Sequence, residues 1–126
     1  MAADISPISK ASTEHYTWGS GCDGWHLVKN SELSVIQERM PAGTAEVRHF
    51  HHRAQQFFYV LAGSAVMEVD ERAVVLSAGE GIWIPAGAAH QMRNDSGDEV
   101  HFLVVSVPPS HGDRIVAPET TSVDLV

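Results

Sequence analysis

Apolar and polar residues alternate in short runs over most of the 126-residue chain. Leu33 to Ile36, Thr44 to His51, Gln56 to Leu61, Ala65 to Val69, Ala73 to Leu76, Gly81 to Ile84, His90 to Asn94 and Val100 to Val107 are rich in Val, Ile and aromatic residues, and their period of two predicts strands. Turn-forming residues separate them: Met40-Pro41-Ala42-Gly43, Ala62-Gly63-Ser64, Asp70-Glu71-Arg72, Ser77-Ala78-Gly79 and Asn94 to Asp98. No segment sustains an apolar repeat of 3.6 residues, so no long helix is expected. Many short strands joined by tight turns are the pattern of a sandwich or barrel. Three segments follow: an irregular N-terminal arm over residues 1–32, with one strand near Trp25 to Val28; a β-domain over 33–108; and a tail over 109–126, rich in Pro, Ser and Thr, lying on the surface or on a second subunit.

Composition narrows the function. With 44% hydrophobic and 19% charged residues, the chain is long enough for one core and short for two. A formal charge of -8, with Lys and Arg scattered, repels phosphate backbones and excludes nucleic acid as a partner. No apolar run reaches bilayer length, and the first residues lack the basic start and apolar core of a signal peptide, so a cytoplasmic protein without membrane contact is expected. Cys22 is the single cysteine, which rules out an intramolecular disulfide and suggests a small packed thiol.

The stretch Arg48 to Gly63, RHFHHRAQQFFYVLAG, carries three histidines in four positions. Strand alternation puts His49 and His51 on one face, and Phe50 and His52 on the other. Two imidazoles on one face of a strand can converge on a metal. Further on, His90 follows the Pro85-Ala86-Gly87 turn at the head of another alternating strand. The two segments resemble the paired motifs of the cupin superfamily. Gly43, His49, His51 and Gly63 match the first motif; Gly79, Pro85, Gly87, His90 and Asn94 match the second without a gap. The resemblance implies an all-β, antiparallel double-stranded β-helix, or jelly-roll barrel. It also implies one divalent transition metal in the barrel mouth, held by His49, His51, His90 and a fourth group. Counting back from Gly63, the family's usual glutamate is replaced by Gln56. That amide either coordinates through its side-chain oxygen or hydrogen-bonds a metal-bound water. Gln55 is the fallback, on the opposite face.

Phe58 and Val60 share the Gln56 face and Met92 shares the His90 face. Core packing is their first use and the apolar wall of a substrate pocket their second. His101 reads as a solvated strand histidine, and His111 lies in a loop with no role assigned. Catalytic residues are not identifiable at this level. The first functional reading is an oxidoreductase of the dioxygenase or oxygenase type, with iron as its metal; Ni, Zn, Cu and Mn suit the same ligands. The second is a redox-neutral, metal-dependent isomerase or lyase. The third is a small-molecule binding protein without turnover. A neutral ligand set keeps the double charge of the metal, which favours a small anionic ligand. The resemblance also implies a homodimer, and the arm that contains Trp18 and Trp25 is the candidate to cross between subunits.

Overall fold

The computed structural model describes residues 5–118. Eleven strands carry the described chain: β1 (Glu14–Trp18), β2 (Cys22–Lys29), β3 (Ser34–Met40), β4 (His49–His51), β5 (Gln55–Ala62), β6 (Ser64–Val69), β7 (Arg72–Ser77), β8 (Gly81–Ile84), β9 (His90–Arg93), β10 (Val100–Val107) and β11 (Arg114–Val116). They form two antiparallel sheets, ordered β1-β2-β3-β10-β5-β8 and β11-β4-β9-β6-β7. From β3 onward the chain passes back and forth between the sheets, which winds it into the jelly-roll barrel.

The inward faces obey the alternation. Phe58 and Val60 of β5, Ala65 and Met67 of β6, Ile84, Met92, and Val100, Phe102 and Val104 of β10 close the core, together with Met40 and Cys22. At one end the same alternation turns polar. Ser34, Ser106 and Gln56 stand opposite one another across β3, β10 and β5, and all three are buried. This row of polar side chains, one level above the apolar core, forms the floor of an open mouth.

Three expectations need correcting. Within the arm expected over residues 1–32, the stretch Glu14–Lys29 is not irregular: β1 and β2 pair as a hairpin, and β2 extends the sheet through β3. Trp18 packs on the core of its own chain, and Trp25 lies tilted against His15 with Lys10 over its ring. Alternation in this segment is broken by Gly19, Gly21 and Gly24, which hid the strands. The described part of the tail is also structured, because β11 pairs with β4. Lastly, the run from Thr44 to His51 is a regular strand only from His49. Before that it follows β9 through Asn94 N to Thr44 O (2.8 Å) and Glu46 N to Met92 O (3.0 Å), with one bridge at Ala45.

On the outside, Phe57, Leu61 and Trp83 stay exposed along β5 and the edge strand β8. Among the described residues no helix is long and apolar enough to cross a membrane.

Candidate metal site

Strand β4 presents His49 and His51 on one face, and β9 places His90 directly across from His49. All three rings are buried. Each is aimed by a backbone carbonyl: His49 Nδ1 bonds Val47 O at 2.6 Å, His51 Nδ1 bonds Asp113 O at 3.2 Å and His90 Nδ1 bonds Ala88 O at 3.0 Å. A carbonyl only accepts, so the proton sits on Nδ1 and every Nε2 keeps a lone pair. The ring centroids lie 4.5 Å apart for His49 and His90, and 4.9 Å apart for His49 and His51. One nitrogen from each ring falls within 4.8 Å of the other two.

Burial pushes all three imidazoles below the usual histidine range, His49 to about 3, while the carbonyl bonds pull the other way. Neutral rings with free lone pairs are metal ligands. Nε2 of His51, Nε2 of His90 and Oε1 of Gln56 are buried without any hydrogen-bond partner. Gln56 is anchored by its other end, Nε2 donating to Ser106 Oγ at 3.0 Å, which leaves the amide oxygen beside His51. Orphaned buried acceptors are costly. Three imidazole nitrogens within 4.8 Å of one another, with the orphaned amide oxygen of Gln56 beside His51, are the donor set of a borderline transition metal, so the residues present fit one.

Asp113 supports the site from the tail. Its carboxylate accepts the amides of His52 (3.1 Å), Arg53 (2.8 Å) and Ala54 (3.0 Å), and its carbonyl orients His51. Those amides, Arg53 and Ala54 foremost, hold the carboxyl below the usual aspartate range.

A cleft of about 880 Å³ opens over His49, His51 and Gln56. Phe58, Val60 and Met92 are not among its lining residues; they belong to the closed core, with the Phe58 ring 5.9 Å from His90. Alternation identified their face correctly, but they sit below the polar floor. The opposite wall is polar. Tyr16 of β1 donates to Glu38 Oε1 of β3 at 3.1 Å. It reaches there because its ring occupies the space where any residue at position 24 other than glycine would carry its Cβ. Glu46 lines the cleft from the histidine-bearing sheet, beside β9, with Oε1 accepting Met92 N at 2.8 Å. Burial raises both carboxyls, Glu38 to about 7 against the pull of the Tyr16 bond, and Glu46 to about 8 with help from the charge of Glu38. Burial raises Tyr16 as well.

None of Tyr16, Glu38, Glu46, Asp113 and Arg114 was singled out from the sequence for a role at the site. Glu38 lies in phase with Ser34 and Ile36, a signal that becomes visible only once β3 is known to reach Met40. His101 points away, bonded to Glu99 at 3.0 Å, and Gln55 is outside, accepting Trp83 Nε1 at 3.0 Å. His111 lies on the cleft rim.

These shifts have opposite consequences for stability. Below about pH 6.5 the unfolded chain binds more protons than the folded one at the three histidines, so their contribution is lost as pH falls. From about 4.5 upward the folded chain binds more protons at Glu38 and Glu46, so their contribution is lost as pH rises toward 7 and 8. In the metal-free Glu38→Gln/Glu46→Gln variant, urea midpoints should therefore climb more steeply from pH ~4.5 to ~6.5 than in the parent. Parallel profiles would show that the carboxyls are not shifted.

Comparison with known proteins agrees with the geometry. Residues 36–106 match the cupin domain family. The chain is 27% identical over 89 residues to an uncharacterised protein of Methanocaldococcus jannaschii, spanning 70% of this chain and 71% of that one. It is 30% identical over 67 residues to quercetin 2,3-dioxygenase of Bacillus subtilis, covering 53% of this chain but only 20% of that enzyme. Among solved structures, the polyketide cyclase RemF of Streptomyces resistomycificus superposes with a TM-score of 0.80 at 17% identity, over 93% of this chain and 88% of that one. A sugar phosphate isomerase of Silicibacter pomeroyi gives 0.74 at 24% identity, over 82% and 76%. At such identities the structural likeness speaks for the fold alone. With the family match spanning more than half of the chain, two jelly-roll sheets and a three-histidine cluster in the barrel mouth, this chain belongs to the cupin superfamily.

Proposed function

We propose that the protein is a metal-dependent catalyst of redox-neutral proton transfer, an isomerase or lyase acting on a small oxygenated molecule. The observation that carries this reading is the Tyr16–Glu38 pair, which lines the same cleft as the histidine cluster. In this reading His49, His51 and His90 hold the metal through Nε2, and Gln56 through Oε1. The metal supplies a Lewis acid that polarises a carbonyl or carboxylate oxygen of the substrate. A carboxyl poised near neutrality is suited to both taking and returning a proton. Glu38 takes the proton from the carbon next to the polarised group and returns it to the neighbouring atom in an isomerisation, or to the leaving group in an elimination. Tyr16 donates to the Glu38 carboxylate and holds it toward the cleft. The apolar layer of Phe58, Val60 and Met92 beneath the site keeps water from reaching the ligands from below.

The test is solvent exchange. Zinc-loaded protein in D2O, incubated with a panel of 2-oxo acids and hydroxyketones, should wash out the exchangeable C–H signal of at least one compound by proton NMR. Glu38→Gln should slow that exchange by roughly 10²–10⁴-fold with metal content unchanged. Exchange as fast in the variant as in the parent would remove Glu38 from the chemistry. A second reading, an oxygenase, draws on the match with quercetin 2,3-dioxygenase. It requires oxygen uptake by the ferrous protein on an enol or diol, with no exchange in the zinc form.

A further inference from the structure

We propose that Arg114 holds an acidic group of the substrate, a carboxylate or a phosphate, beside the histidine cluster, so that the protein acts on small anions. This rests on the metal-dependent reading of the same cleft. Strand β11 pairs with β4 so that Arg114 stands directly opposite His51. Directly opposed residues project to the same side of a sheet, with Cβ atoms about 4.5–5.5 Å apart. The Arg114 side chain therefore enters the cleft from the same side as His51. Its Nη2 donates to Val47 O at 3.3 Å, the same carbonyl that aims His49. One carbonyl thus ties the guanidinium to a prospective metal ligand.

What Arg114 lacks is equally informative. Arg39, Arg48 and Arg93 each meet a carboxylate within 3.0 Å; of the arginines without one among the described residues, Arg72 lies on β7 outside the cleft, and Arg53 and Arg114 line it. Among the described residues Arg114 pairs with no carboxylate, and its single hydrogen bond leaves four of its five donors for another partner. A planar fork with free donors matches a carboxylate or phosphate. Glu46 opposes an anion least when protonated, and burial favours that form. Arg53 also lines the cleft, but its side chain carries no comparable tie to the histidines.

Calorimetric titration of malonate and of inorganic phosphate at low salt tests the proposal, on metal-free and on zinc-loaded protein. The parent should bind at least one probe at one site per chain, and the probe that binds distinguishes a carboxylate from a phosphate substrate. Arg114→Gln should weaken that binding by about tenfold or more in both states. Arg114→Lys should recover part of it, and Arg72→Gln, the same charge change on the distant strand β7, should leave it intact. Zinc content should be unchanged in Arg114→Gln. A parent that binds neither probe, or an Arg114→Gln protein that binds as the parent does, overturns the assignment. Should Arg114→Gln fail to fold, the lysine variant decides: binding as tight as the parent's would count against the guanidinium site. Arg114-dependent binding in protein that retains no metal would instead leave this assignment standing and remove the metal-dependent reading.

Discussion

Replacing His49 and His90 together by alanine should abolish retention of a transition metal through desalting, whereas the parent keeps about one ion per chain. The two residues face each other across β4 and β9, and their loss leaves His51 as the only imidazole of the cluster. A single imidazole and a neutral amide do not hold a labile divalent ion against dilution. Both alanine sites also shed a buried nitrogen that must stay uncharged, so part of the cavity cost is offset. Element analysis of parent and variant, each supplied with Fe, Ni, Cu, Zn and Mn in turn, is the measurement, with circular dichroism to check that the barrel persists. Equal retention by a folded double variant would place the metal elsewhere or nowhere.

The second large effect is expected at Gly63, where β5 hands the chain to β6 and hence one sheet to the other. Its φ of +82° is left-handed, and a Cβ there would lie 2.5 Å from Glu99 O and 3.1 Å from Val100 Cα. Both are backbone atoms of the opposing segment and cannot rotate aside. The left-handed conformation alone costs about 1–3 kcal/mol for a residue with a side chain. With the collision added, Gly63→Ala should destabilise by roughly 3 kcal/mol or more, the range reserved for strain at special backbone positions and similar defects. Because β5 carries Gln56 and β6 pairs with the strand of His90, relief of the collision by shifting either strand would also disturb the histidine cluster and Gln56. Urea unfolding measures the stability. A loss below about 0.5 kcal/mol, typical of an unremarkable surface site, would refute the steric account.

Sequence by itself determined most of the barrel strands, the shared face of His49 and His51, the turn before His90 and the polar substitution at Gln56. These are local properties. Side-chain alternation follows from the pleat of a single strand, and Gly43, Gly63, Pro85 and Gly87 fall where one turn closes. Alternation identifies a face but not a depth. Phe58 and Gln56 are two residues apart on the same face, yet one is sealed in the core and the other floors the cleft, because depth depends on what β3 and β10 place at the same level. Tertiary structure alone decided the rest. Tyr16 meets Glu38 across 22 positions because a glycine at 24 lets the β1–β2 hairpin lie close, and Arg114 meets His51 across 63 positions because β11 completes the second sheet. Hydrogen bonding between strand edges sets those encounters. No local pattern along the chain encodes which edges will meet.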